Sequence, residues 1–183
     1  AKGAALTVTR ASTKSCVVGG VITTASANAL CVESDGALLE QAATNVVLQS
    51  GHIDTAPWTS TSANGPANPT VTANAATAPD GTSTATQIDF PASSGTGFSL
   101  RYQDATTSGV WTWSVWARAV SGTATLNMYA YGGTYLGQKS CALTTTWTRC
   151  QTTGTRTGSS SFIMGTDSFI FGSVAAQSVY VWG

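Results

Sequence analysis

Charge is what this sequence has least of. Of its 183 residues only 9% are charged, formal net charge is zero, and there is a single histidine. No cluster of Lys or Arg is present, so nucleic acid and anionic membrane surfaces are excluded as principal partners. No apolar run approaches the roughly 20 residues of a membrane span, which excludes membrane insertion by a helix. The opening residues lack the pattern of a signal peptide; export would then rest on a leader already removed or carried by a larger precursor.

Equipment for catalysis is equally sparse. His52 follows Gly51 in a loop with no nucleophile-elbow motif beside it. Asp80, Asp89, Asp104 and Asp167 are scattered at turns and strand ends, the ordinary structural location of aspartate, and nothing brings two carboxyls together as a glycosidase requires. The chain is therefore read as no enzyme in itself. No CxxC pair exists either, and Cys16, Cys31, Cys141 and Cys150 are compatible with two disulfides. Sequence proximity favours Cys16 with Cys31 and Cys141 with Cys150, although three connectivities are open and buried free thiols are the alternative. Pairing points to an oxidising compartment.

What the sequence does have is 19 glycines, long Thr/Ser/Ala stretches and 42% hydrophobic residues. That is the composition of strands and turns, and it predicts an all-β protein. Gly109 to Tyr131 is the most informative stretch. Trp111, Trp113, Val115, Ala117 and Ala119 alternate with Thr112, Ser114, Trp116, Arg118 and Val120, and Leu126, Met128 and Ala130 alternate with Thr125, Asn127, Tyr129 and Tyr131. A period of two is the signature of a strand with two different faces. Read as a hairpin about Ser121-Gly122, the register places Val115 opposite Met128, Ala117 opposite Leu126 and Trp116 opposite Asn127.

The non-core face of that hairpin mixes an indole, two phenols, a guanidinium and an amide. Flat rings beside directional hydrogen-bonding groups suit a sugar, which offers C–H bonds on one side and a rim of hydroxyls. Arg101, Gln103, Trp116, Arg118, Asn127, Tyr129 and Tyr131 are thus the candidate ligand residues, with Trp116 as stacking platform and Gln138 or Tyr135 joining from the adjoining loop. The arginines could instead favour an acidic sugar. The competing reading of the same aromatics is burial beneath a loop or a further domain.

In chain order, Ala1 to Thr44 reads as an arm crossing the surface of the main domain. A short strand is expected over Ala5 to Arg10, a hairpin around Gly19-Gly20 and a turn at Ser34-Asp35-Gly36. From Asn45 onward, short strands recur at sandwich spacing: 45–49, 69–76, 84–90, 98–103, 146–152, 161–164, 168–171 and 178–182, with Trp147 buried. The sequence stops just past an apolar strand, which reads as a fragment of a longer polypeptide with further domains.

The run ALLEQAATNVVLQSGHIDTAPWTSTSANGPANPTVTANAATAPDGTSTATQI resembles a module of phage tail and tail-fibre proteins and of secreted bacterial polysaccharide-associated proteins. The matching positions are Leu38, Glu40, Thr44, Asn45, Ser50, Trp58 and Thr77 to Ala85; Ala37, Val46, Val47 and Ile53 depart mildly from the pattern. VWTWSVWARA, TTTWTRC and VYVWG extend the resemblance over nearly the whole chain. It implies a carbohydrate-binding-module-like jelly roll: a two-sheet antiparallel β-sandwich over 45–183, preceded by an extended N-terminal arm over 1–44. It also implies non-catalytic polysaccharide binding in a secreted, extracellular or virion-surface setting. The alternatives are a structural or adaptor domain of a phage tail or secreted assembly, or an accessory module of a polysaccharide-degrading enzyme. Such sandwiches often carry a structural calcium, for which Asp54 and Glu40 are the candidate ligands here.

Overall fold

The computed structural model describes the backbone of residues 14–18, 21–25, 32–33 and 36–37 and all of 45–183. By its contacts the chain separates into two units, Ala1–Thr44 and Asn45–Gly183. In the first, β1 (Lys14–Val18) and β2 (Val21–Ala25) pair antiparallel with Val18 opposite Val21, the register of the expected two-residue hairpin. The short strands β3 (Val32–Glu33) and β4 (Gly36–Ala37) pair with Glu33 opposite Gly36. The strand expected over 5–10, the Cys16–Cys31 pairing, the Glu40 side chain and the placement of the arm on the main domain lie outside the described residues.

The second unit is an antiparallel β-sandwich. Its strands are β5 (Thr59–Ala63), β6 (Thr70–Ala76), β7 (Ala85–Phe90), β8 (Phe98–Ala119), β9 (Ala124–Tyr131), β10 (Tyr135–Leu143), β11 (Thr148–Asp167) and β12 (Gln177–Trp182). One helical turn, α1 (Ser168–Phe171), follows β11. β8 and β11 pair along their whole length, Phe98 with Asp167 at one end and Ala117 with Thr148 at the other. Their partners change halfway. Near Phe98 the ribbon is flanked by β5 on one side and by β9 and β10 on the other; near Ala119 it is flanked by β12, β7 and β6. The ribbon therefore belongs to both layers. Residues 98–104 and 161–167 lie in the first sheet, and 110–119 and 148–155 in the second.

The crossing is made where the side chains shrink. Gly109 (φ 91°) and Gly158 (φ 119°) adopt a backbone that L side chains rarely take, and the Thr107 hydroxyl donates to the carbonyls of Arg156 at 2.8 Å and Gly158 at 3.3 Å. Folding the ribbon over brings the apolar residues of its two halves face to face. Trp111 meets Phe162 edge-on, centroids 5.2 Å apart, and Trp113 meets the same ring at 6.0 Å. Around them Val115, Ala117, Leu126, Met128, Ala130, Met164, Val179 and Val181 are buried in one core. Gly154, opposite Trp111, leaves the room that indole needs: a Cβ there would sit 2.3 Å from the ring.

The alternation read from Gly109–Tyr131 is present, but the hairpin is not. Val115 lies opposite Cys150, and Met128 opposite Met164 and Lys139, so β8 and β9 are not neighbours in a sheet. The turn containing Gly122 (φ 57°) carries the chain from one sheet to the other. The physical reason is that both apolar faces are needed by a single core: across the sandwich each covers the other, whereas side by side both would be left open. Three further expectations are corrected. Residues 45–49 form a turn rather than a strand, whereas 161–164 is strand as expected, within the long β11. Ser168–Phe171 is helical because Asp167 caps it, accepting from the Phe169 amide at 3.0 Å. Trp147 is partly exposed, its indole donating to the Thr77 carbonyl at 3.2 Å. No helix among the described residues is long and apolar enough to cross a membrane.

The expected Cys141–Cys150 disulfide is formed, with Cα atoms 6.0 Å apart. It joins the edge strand β10 of the first sheet to the edge segment of β11 in the second, closing one side of the core. Replacing both cysteines with alanine should lower the unfolding free energy by about 2–3 kcal/mol, the closure entropy of so short a loop. Urea unfolding of the wild type with and without reductant should show the same difference, and equal midpoints would contradict the assignment.

Candidate functional site

Because β8, β9, β10 and β11 are in fixed register, the residues that share the outer face of the first sheet can be read in rows. Asp104, Ser161, Tyr131 and Tyr135 form one row across four strands; Thr59, Tyr102, Ile163 and Tyr129 form the next, followed by Leu100, Gly165, Asn127 and Ser140. Aromatic rings continue off the sheet through α1. Tyr131 and Tyr135 are 4.9 Å apart, Tyr135 and Phe169 5.9 Å, and Tyr129 lies 5.7 Å from Tyr135 and 6.2 Å from Phe171. Five large apolar side chains are exposed among the described residues, and three of them, Tyr131, Tyr135 and Phe169, are this cluster.

Beneath the exposed rings the face is locked. Tyr129 is buried, and its hydroxyl donates to Asp167 Oδ2 at 2.6 Å; Asp167 Oδ1 accepts from the first turn of α1. One carboxylate thus ties the helical turn to the sheet and fixes where Phe169 and Phe171 stand. Burial first, then the hydrogen bond and charge of Asp167, holds the Tyr129 hydroxyl well above the usual tyrosine range. Tyr135 is raised as well, by partial burial and then by Asp167 and Tyr131. Polar groups rim the rings: Ser161 donates to Asp104, and Ser140 to Asn127 Oδ1 at 2.7 Å.

The outer face of the second sheet is a separate aromatic surface. Trp116 lies between Arg149 on β11 and Trp182 on β12; one row on, Arg118 lies beside Tyr180. The Arg118 guanidinium sits 4.4 Å from the Tyr180 ring centroid and 5.3 Å from that of Trp147. A cleft of roughly 380 Å³ at one end of the sandwich, lined by Thr123, Thr125, Thr144 and Gln177 among others, carries neither a ring nor a charge and matches the chemistry of neither face.

The seven residues expected to line one face are therefore divided three ways. Asn127, Tyr129 and Tyr131 share the first sheet's outer face, Trp116 and Arg118 share the second's, and Arg101 and Gln103 point inward, opposite Met164 and Phe162. Arg101 is buried because it holds a loop in place: its Nε and one terminal nitrogen donate to the Ile53 carbonyl at 3.0 and 2.7 Å, and the other terminal nitrogen donates to the Ser60 hydroxyl at 3.1 Å. Asp54 accepts from Thr86 at 3.1 Å and lies 4.0 Å from the His52 ring. Among the described residues no three His, Cys, Asp or Glu side chains gather as a metal site, and Glu40 is outside them. Tyr135 joins the first face from a strand rather than a loop. Phe169 and Asp104 were missed by the sequence reading, since nothing in 168–171 distinguishes a capped turn from a short strand except the aspartate before it.

No family model matches the chain, and no curated protein does. Among solved structures, the chain is similar to TmCBM61, a structure determined in complex with β-1,4-galactotriose. The TM-score is 0.50 at 16% identity, covering 76% of this chain and 95% of that one. A family 11 carbohydrate-binding module of the cellulase Lic26A-Cel5E of Clostridium thermocellum matches at TM-score 0.48 and 10% identity, covering 77% of this chain and 93% of that one. The enzymatically active domain of bacteriophage CBA120 tailspike protein 4 matches at 0.41 and 16%, covering 76% of this chain and 20% of that one. The first likeness establishes the sandwich fold; the other two, below 0.5, carry no weight.

The Tyr129–Asp167 link sets an alkaline limit. The fold holds the phenol proton more tightly than the unfolded chain does, so the contribution is complete below about pH 10 and is lost at up to about 1.4 kcal/mol per pH unit above it. Tyr129→Phe should be less stable than wild type by about 1–3 kcal/mol at pH 7, through the lost charge-assisted bond, and the gap should narrow above pH ~10. Urea unfolding of both proteins across that range checks this; a gap independent of pH would contradict it.

Proposed function

We propose that this domain is a non-catalytic binder of neutral polysaccharide, using the outer face of the first sheet. The observation that carries the reading is the contiguity of Tyr131, Tyr135 and Phe169: three exposed rings, Tyr135 touching the other two, on a floor fixed by Tyr129 and Asp167. Exposed rings in a row offer stacking surfaces for successive sugars, and Asp104, Ser161 and Ser140 supply acceptors and donors for hydroxyls at the rim, while Asn127, expected to bind ligand, is buried beneath it and accepts from Ser140. The exposed Asp104 on this face disfavours an acidic sugar and favours a neutral one, and the one guanidinium near Tyr131, that of Arg156, packs against Gly132 and donates to the Ser159 carbonyl. Catalysis is not proposed, because Asp167 is buried with both oxygens engaged and cannot partner Asp104 as an acid–base pair. The buried Cys150 in a disulfide suits an oxidising setting such as the cell exterior or a virion surface.

Affinity electrophoresis through gels containing β-1,4-galactan, mixed-linkage glucan or xylan tests the proposal. At least one neutral polymer should retard the wild type, and Tyr131→Ala and Tyr135→Ala should each weaken that binding by about 1–3 kcal/mol, as for aromatic anchors elsewhere. Wild-type mobility unchanged in every gel, or alanine variants retarded as strongly as wild type, would refute it.

A further inference from the structure

The second aromatic face has a different chemistry from the first. Trp147, Arg118 and Tyr180 form one row, and Arg149, Trp116 and Trp182 form the adjacent row on the same side of the sheet. Each row thus contains one guanidinium and two rings, Arg118 between its rings and Arg149 at the end of its row beside Trp116, and the rows are about 7 Å apart, two residues along a strand. Arg118 is half-buried against two rings, and Arg149 is exposed, donating to the Ser114 hydroxyl at 3.0 Å. Among the described residues Arg118 is therefore held by two rings and Arg149 by a hydroxyl. Asp89, the carboxylate that shares this face on β7, accepts the Gln87 amide at 3.1 Å through both oxygens.

An array of flat rings carrying positive charge is complementary to a chain of flat, negatively charged units. We infer that this face is a second, independent glycan site, and that its ligand is an acidic polysaccharide bearing carboxylate or sulfate groups. Trp116 and Trp182 provide stacking surfaces. Arg118 and Arg149 accept the anionic groups in planar, charge-assisted hydrogen bonds, a geometry that lysine would not supply. Since the two faces lie on opposite layers of the sandwich, occupation of one leaves the other open, and the domain could join a neutral chain to an acidic one. The inference stands on this face alone and does not require the first face to bind sugar.

The test is affinity electrophoresis of the full chain in polygalacturonate and in dextran sulfate, with polyglutamate as competitor. Wild type should be retarded by at least one of the two polysaccharides, and less so as sodium chloride is raised. Arg149→Gln, at an exposed position where folding is not at risk, and Arg118→Gln should each reduce the retardation about tenfold, while Tyr131→Ala leaves it unchanged. The inference is overturned if neither polysaccharide retards wild type, if Arg149→Gln and Trp116→Ala both bind as wild type does, or if Tyr131→Ala abolishes the retardation. Competition by polyglutamate as strong as by polygalacturonate would overturn it too, by showing that charge alone is read. Loss of neutral-polymer binding in Tyr131→Ala, with polyanion binding intact, separates the two faces directly.

Discussion

The structure depends on one folded ribbon. β8 and β11 are single strands that serve two sheets, and the contact of Trp111 and Trp113 with Phe162 holds the halves of that ribbon against each other. All else about the faces follows from it. Once these rings are inside, period-two alternation decides which residues of every paired strand look outward, and one residue of slip would exchange them all. The disulfide at the open edge and the glycine-lined bend are what keep the ribbon in that arrangement.

Alternation was the part most legible from sequence. The two apolar sets of Gly109–Tyr131 are buried without exception, and β6, β7 and β12 lie where strands were expected. Period two says which residues share a side of one strand. It does not say which strand lies alongside, and for that reason Trp116 and Asn127, read as cross-strand partners, stand on opposite layers. Arg101 shows a second limit. Its strand alternates Phe98, Leu100 and Tyr102 against Ser99, Arg101 and Gln103, and hydrophobicity alone would put the first set inside. The fold does the reverse, because the arginine is needed in the interior to bind the Ile53 carbonyl while α1 shelters part of the aromatic set. Neither partner of those contacts is near in sequence.

Dividing the aromatic residues between two layers changes the functional picture rather than removing it. A single mixed face would have placed all these rings in one groove; the sandwich instead divides them between two, each with its own polar neighbours. The first face holds tyrosines and a phenylalanine with Asp104 above and Asp167 beneath, and the second holds tryptophans with Arg118 and Arg149, its one carboxylate on β7, Asp89, accepting from Gln87. In the first, Asp167 links the buried Tyr129 to the turn that carries Phe169, so the platform is set before any ligand arrives and little ordering accompanies binding.

The most direct test of the account is a titration of the labelled full chain with a neutral oligosaccharide that it binds, followed by amide and indole NMR signals. The account predicts shifts at Tyr131 to Leu136, Ser161 and Phe169, with the indole signals of Trp116 and Trp182 unmoved. Movement of those two indoles with the tyrosine strand silent would contradict the assignment of the neutral-sugar face, and with it the reading of the folded ribbon as the element that sorts the two surfaces.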